Sequence, residues 1–233
     1  MTAIMKKEFT SYFTTPVGYV LITIFWFFSG MYFTSACIEA GTSSLTSVFG
    51  NCFFVIIFIV PLMTMRVFSE EKRRKTEQLL FCAPVNTAQI VMGKFFGAVL
   101  MFCVCLAIFP IYGIVLSFFG NAGWALLLST LFGTFLFGAA LISIGLFISS
   151  LTENQIVAAV ITLASGIVIY LIDTFAAMIS VSWVQNLLLK LSFIAAYSNF
   201  SMGQINLSDI VFYLSVTAIF LFLTGRVINR RRA

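Results

Sequence analysis

Histidine, the commonest general base and metal ligand, is absent from this 233-residue chain. Charged residues make up only 9% of it, where soluble domains carry about 25%. So little charge cannot supply the polar shell that a soluble core requires. The five cysteines, Cys37, Cys52, Cys82, Cys103 and Cys105, form no CxxC pair. Cys103 and Cys105 would point to different faces of a helix, and all five read as packing residues or inert thiols. Rossmann, zincin and catalytic-triad patterns are missing. The nearest approach to a P-loop, Ala88 to Phe95, lacks the Gly needed at its first position and the Ser or Thr needed at its last. No catalytic, cofactor or metal site is therefore expected in this chain. Nor is a cleavable signal peptide expected: the first apolar run is too long for one, and no small-residue cleavage site follows it.

What the chain does contain is apolar. Hydrophobic residues account for 61% of it, and phenylalanine alone occurs 28 times. This excludes a soluble globular protein, a disordered chain and a free nucleic-acid binder. The apolar residues come in continuous runs, not in the roughly 10-residue alternating segments of a membrane barrel. Six runs stand out: Val17–Ser35, Val48–Met65, Phe95–Phe119, Trp124–Ser150, Ile156–Ile172 and Ile210–Gly225. A bilayer takes about 20 residues to cross, and the sixth run reaches that scale if it begins at Leu207. The reading is an all-α integral membrane protein of six transmembrane helices in a single domain. An N-terminal segment (1–16) precedes spans one and two (17–65). A charged loop (66–94), spans three to five (95–172), an outer segment (173–206) and a last span with a basic tail (207–233) follow.

Lysine and arginine orient the chain. With six spans and a cytoplasmic N-terminus, the inner side holds twelve of the thirteen basic residues and the outer side only Lys190. That asymmetry is the positive-inside pattern and places both termini in the cytoplasm. The net charge of +5 then speaks of topology and anionic lipid, not of nucleic acid.

The N-terminal segment reads as an amphipathic interfacial helix ended by Pro16. Met1, Ile4, Met5, Phe9, Tyr12 and Phe13 recur at helical spacing, with Lys6 and Lys7 on other faces near headgroups. The outer segment is too apolar for a free loop. Val184, Leu187, Leu188 and Leu191 form a helical stripe, and Trp183, Tyr197 and Phe200 suit an interface, so re-entrant or interfacial helices are expected there. Pro61 and Pro110 are candidate kinks. Lys94 stands at the mouth of span three, and no ionisable residue is expected at mid-membrane depth. That argues against an ion-coupled carrier.

The loop at 66–94 is the most informative stretch, holding nine of the 21 charged residues. Ser69 followed by Glu70 and Glu71 looks like a helix start. Glu70–Arg74 and Glu71–Lys75 are acid-first i,i+4 pairs, and Pro84 ends the helix. This gives a short charged helix standing off the membrane, with an apolar patch at Leu79, Leu80 and Phe81. It is either a lipid-anchored loop or a docking surface, since mixed charge beside an apolar patch sets orientation for a partner.

Residues Arg66, Glu70, Glu71, Thr76, Glu77, Leu79, Leu80, Pro84, Gly93 and Lys94 resemble the signature of ABC-2-type transporter permeases. Lys75 departs from it, standing where the family usually has Gly. The stretch Lys6-Lys7-Glu8-Phe9, Tyr12-Phe13 and Pro16 to Tyr19 is similar to the gliding-motility-type bacterial subgroup. The resemblance implies a permease subunit with a coupling helix between spans two and three. Arg66, Glu70, Glu71, Lys72, Arg73, Arg74, Thr76, Glu77, Leu79, Leu80 and Pro84 would contact a separate cytoplasmic ABC ATPase. Two ATPase copies would bind ATP and magnesium. A second permease chain, identical or similar, would complete the unit in a bacterial inner membrane. The expected function is ATP-driven movement of an amphipathic substrate, with export the expected direction. The alternative is a non-transporting scaffold that passes ATPase-driven motion to an extracytoplasmic accessory protein.

Overall fold

The computed structural model describes residues 1–39, 45–73, 86–119, 123–178 and 192–232. They form helices throughout: α1 (Thr2–Thr14), α2 (Pro16–Phe33), a π-helical turn (Thr34–Glu39) and α3 (Thr46–Arg73). After these come α4 (Thr87–Leu106), α5 (Ile108–Phe119), α6 (Trp124–Leu151), α7 (Gln155–Met178), α8 (Phe193–Ser201) and α9 (Leu207–Arg232). Six stretches are long and apolar enough to cross a membrane: Pro16–Glu39, Thr46–Arg73, Thr87–Phe118, Trp124–Leu151, Gln155–Ile172 and Leu207–Arg231. The six-span, all-helical reading holds.

Three boundaries differ from the expectation. Pro16 does not close α1 but opens α2 at its first position, where the missing N–H is one the helix would leave unpaired anyway. Span three begins at Thr87, not Phe95. It then breaks at Ala107, between α4 and α5. Pro110 explains the break: it offers no N–H to the carbonyl four residues back, and its ring clashes there. That carbonyl belongs to Leu106, the last residue of α4. Pro61 sits inside α3 without ending it.

Helix α6 is the hub, packing against α3, α4, α7, α8 and α9. Its small residues permit this. A Cβ on Gly138 would run into the Phe102 ring of α4, and one on Gly145 into the Thr64 side chain of α3. Close backbone approach through small residues is how helices associate where lipid removes the hydrophobic drive. Aromatic rings fill what remains. Phe49 stacks on Phe109 with centroids 4.0 Å apart, and Phe53 stacks on Phe137 at 4.1 Å.

At the other end from the basic residues, Gly123 begins α6 in the left-handed region at φ 55°. Helix α8 is nine residues long, far too short to cross. Ser192 caps it by accepting from the Ala195 N–H. The Phe200 carbonyl accepts from Ser129 of α6 at 2.9 Å. The stripe at 184–191, with Trp183 and Lys190, lies outside the described residues.

Candidate functional site

The charged ends of α1, α3, α4, α6 and α9 gather at one end of the bundle. At their centre is Lys94, whose side chain is 1% exposed. A lone buried ammonium is not tolerable without partners, and Lys94 has several. Its Nζ lies 2.8 Å from Glu71 Oε2 of α3 and 3.0 Å from Glu8 Oε1 of α1. It donates to the Val67 carbonyl at 2.6 Å and sits 4.8 Å from the centroid of the Phe68 ring. Lys7 adds a second, exposed cation on Glu71 at 3.4 Å. Two carboxylates and two ammonium groups thus join three helices.

The local sequence explains how α1 gets close enough. Gly93 and Gly97 are one turn apart on α4, and Ile4 and Glu8 are one turn apart on α1. A Cβ on Gly93 would stand 2.9 Å from Ile4, and one on Gly97 2.7 Å from Glu8. The two glycines form a shallow seat into which α1 settles, and Lys94 between them meets Glu8. Gly18 serves the turn in the same way, since a Cβ there would strike the Tyr12 backbone. Tyr12 is buried and donates to the Met63 carbonyl of α3 at 2.9 Å. Burial, reinforced by the charge of Glu8 and partly offset by Arg66, holds its phenol above the usual range.

Lys94 lies two turns inside α4 and is buried. One placement corrects the expectation. Ser69 does not start a new helix. Helix α3 continues unbroken through Glu70, Glu71 and Lys72 to Arg73. The physical reason is that Ser69 bonds sideways instead of capping. Its hydroxyl donates to the Ser149 carbonyl of α6 at 3.1 Å, and Ser149 Oγ accepts from the Phe68 and Ser69 N–H groups at 3.2 Å.

The pairs Glu70–Arg74 and Glu71–Lys75 read off the spacing involve residues outside the described ones, and other ion pairs are present. Arg66 pairs with Glu70 at 3.0 Å, the base coming first. Lys72 reaches Glu153, in the turn after α6, at 3.2 Å. Arg74, Lys75, Thr76, Glu77, Leu79, Leu80 and Pro84 lie outside the described residues. Of the N-terminal residues, Glu8 joins Lys94 and Lys7 joins Glu71, while Phe9 and Phe13 pack edge to face at 5.1 Å.

Sequence reading missed Gly97 and the burial of Lys94, whereas the Gly145/Ser149 spacing in span four already marked Ser149 as a helix-packing residue. The available signal was the Gly93–Gly97 spacing, a small-xxx-small pattern, and a lysine inside an apolar run that truly begins at Thr87. Among the described residues no group of three His, Cys, Asp or Glu side chains could hold a metal ion.

A family profile described as ABC-2 family transporter protein matches residues 38–227. Glu71, Lys94 and Ser149 fall within the match, whereas α1 and α2 precede it. No curated protein matches the chain. The chain belongs to the ABC-2 transporter family, as a multi-pass permease component of an ABC transporter that works with an ABC ATPase.

Proposed function

We propose that this chain docks a separate cytoplasmic ABC ATPase through residues 66–94 and α1, and moves an amphipathic substrate across the membrane, in the direction of export. The observation that carries this reading is the Lys94 cluster. It ties α1, the end of α3 and the start of α4 into one block. The segment between α3 and α4 therefore leaves from and returns to that block. A push on the segment reaches spans two and three together through charge pairs that lie largely out of water, where electrostatics is strong.

ATP and magnesium belong to the partner ATPase, in two copies, and hydrolysis occurs there. Phe25, Phe49, Phe53, Phe102, Phe109 and Phe137 fill the interior of a single chain. The substrate path then runs between this chain and a second permease chain, the same or similar. The same filled interior suits the second reading, a scaffold that transmits motion to an extracytoplasmic accessory protein. The residues at 6–19 support placement in the gliding-motility-type subgroup and a bacterial inner membrane, with both termini cytoplasmic.

The test is co-purification with the ATPase in mild detergent. Glu77→Lys lowers ATPase recovery at least fivefold while the amount of permease in the membrane is unchanged. Full recovery with Glu77→Lys rejects residues 66–94 as the docking segment. Substrate-dependent ATP hydrolysis in vesicles supports transport, and hydrolysis that responds only to an outer partner protein supports the scaffold.

A further inference from the structure

Away from the Lys94 cluster, a groove of about 950 Å³ opens between α4, α6 and α9. We infer that it binds an acidic phospholipid, with the headgroup phosphate at Arg226 and an acyl chain along the helices. Polarity is distributed unevenly along it. Asn86, Thr87, Arg226 and Asn229 cluster at the basic end of the bundle. The remaining wall is apolar, with Phe95 and Val99 from α4, Leu136 from α6 and Leu214 from α9, except for Thr217, whose hydroxyl is turned to the Tyr213 carbonyl. One polar end and a long apolar body match an amphiphile better than they match a protein helix.

The size and the charge agree. From Leu214 to Asn229 the groove follows α9 for sixteen residues, a rise of about 22 Å at 1.5 Å per residue. That exceeds half of a hydrocarbon core about 30 Å thick, so the groove takes a whole chain from one leaflet. Its volume is at the upper end of the ~300–1,000 Å³ common for ligand sites.

Arg226 is the charge determinant. Its guanidinium packs 5.4 Å from the centroid of Phe222, another wall residue. Lys7, Arg66, Lys72 and Lys94 are each met by a carboxylate, but Arg226 has none among the described residues. Thr87 donates to Asn229 Oδ1 at 3.5 Å and bridges α4 to α9 beside it. A basic pocket between membrane helices, on the side where cations concentrate, is the setting in which anionic headgroups bind.

The test uses native mass spectrometry of the full chain, delipidated in detergent and titrated with equal amounts of phosphatidylglycerol and phosphatidylcholine. Phosphatidylglycerol is expected to be retained at least fivefold over phosphatidylcholine. Arg226→Gln removes that preference and Arg226→Lys restores it. Ala218→Trp fills the exposed groove wall and abolishes retention of both lipids, with size-exclusion confirming an intact fold. Equal retention of the two lipids by the native chain overturns the proposal, as does an unchanged preference in Arg226→Gln. So does loss of a co-purifying membrane protein, rather than of lipid, in Ala218→Trp. None of these outcomes depends on ATPase docking.

Discussion

Helices α6 and α7 follow one another in the chain, and their apolar windows have the same mean hydropathy. In α6, 78% of that window is buried inside the protein; in α7 the share is 17%. Hydropathy therefore explains why both enter a bilayer but not where either sits within it. The difference lies in side-chain size and shape. Helix α6 buries Ser129, Thr130, Gly133, Thr134, Gly138, Ser143, Gly145, Ser149 and Ser150. These residues let α3, α4 and α8 approach closely, and their hydroxyls find carbonyls within reach. Thr134, for example, donates to the Thr130 carbonyl and meets the Tyr197 hydroxyl of α8. Helix α7 instead presents Ile156, Val157, Val160, Ile161 and Val168 outward, a β-branched surface suited to lipid tails. Lipid is as apolar as leucine, so association falls to close packing and hydrogen bonds.

The strongest way to break the contrast is to crowd the hub. Gly138→Leu has no room beside Phe102 and destabilises the protein by about 3 kcal/mol or more, at or above the top of the usual range for overpacking. Thermal melting in detergent, followed by size exclusion, reads it. Lys94→Met comes next, because it leaves Glu8 and Glu71 facing each other without their shared cation. Breaking a buried pair in this way costs about 3 kcal/mol or more. The first visible event is release of α1, scored as faster proteolysis within residues 1–15. Adding Glu8→Gln to Lys94→Met recovers part of that loss, since contacting residues are not additive.

Smaller changes sharpen the comparison. Ser149→Ala removes the hydroxyl that accepts from the Phe68 and Ser69 N–H groups and costs about 1–2 kcal/mol, with ATPase coupling falling in parallel if the end of α3 loosens. Tyr12→Phe costs about 1 kcal/mol for its lost bond to Met63. The phenol is held above its ordinary value when folded. Its contribution is therefore complete below the unfolded value near 10 and is lost only as pH rises beyond it. Melting temperature should show no Tyr12-dependent change between pH 6 and 9. Val160→Leu on the outer face of α7 should move stability by less than about 0.5 kcal/mol. An effect as large as that of Gly138→Leu would mean that α7 is covered by protein rather than lipid.

The outline of the protein was legible from composition and run length. Six apolar stretches, a separate N-terminal helix and a basic end follow from local chemistry, because crossing a bilayer forces each span to bond its own backbone. The Arg66 to Lys94 pattern also pointed to the family that the profile match establishes for residues 38–227. The reading failed where a residue's role depends on a partner distant in sequence. Ser69 looked like a cap because serine before acids often is one, but Ser149, 80 residues away, claims it. The burial of Lys94 was not legible because lysines usually stay in water, but two carboxylates and a carbonyl from α1 and α3 make burial tolerable.

By itself, then, the sequence determined the spans, their number and the charge asymmetry, since each depends on residues adjacent in the chain. The tertiary structure alone decided that α6 is the hub and α7 the rim. It also decided that α1 is locked to α4 by buried charge, and that an apolar groove ends at Arg226. Each of these depends on which small residues meet across helices, and on whether a charge finds its counter-charge once water is excluded.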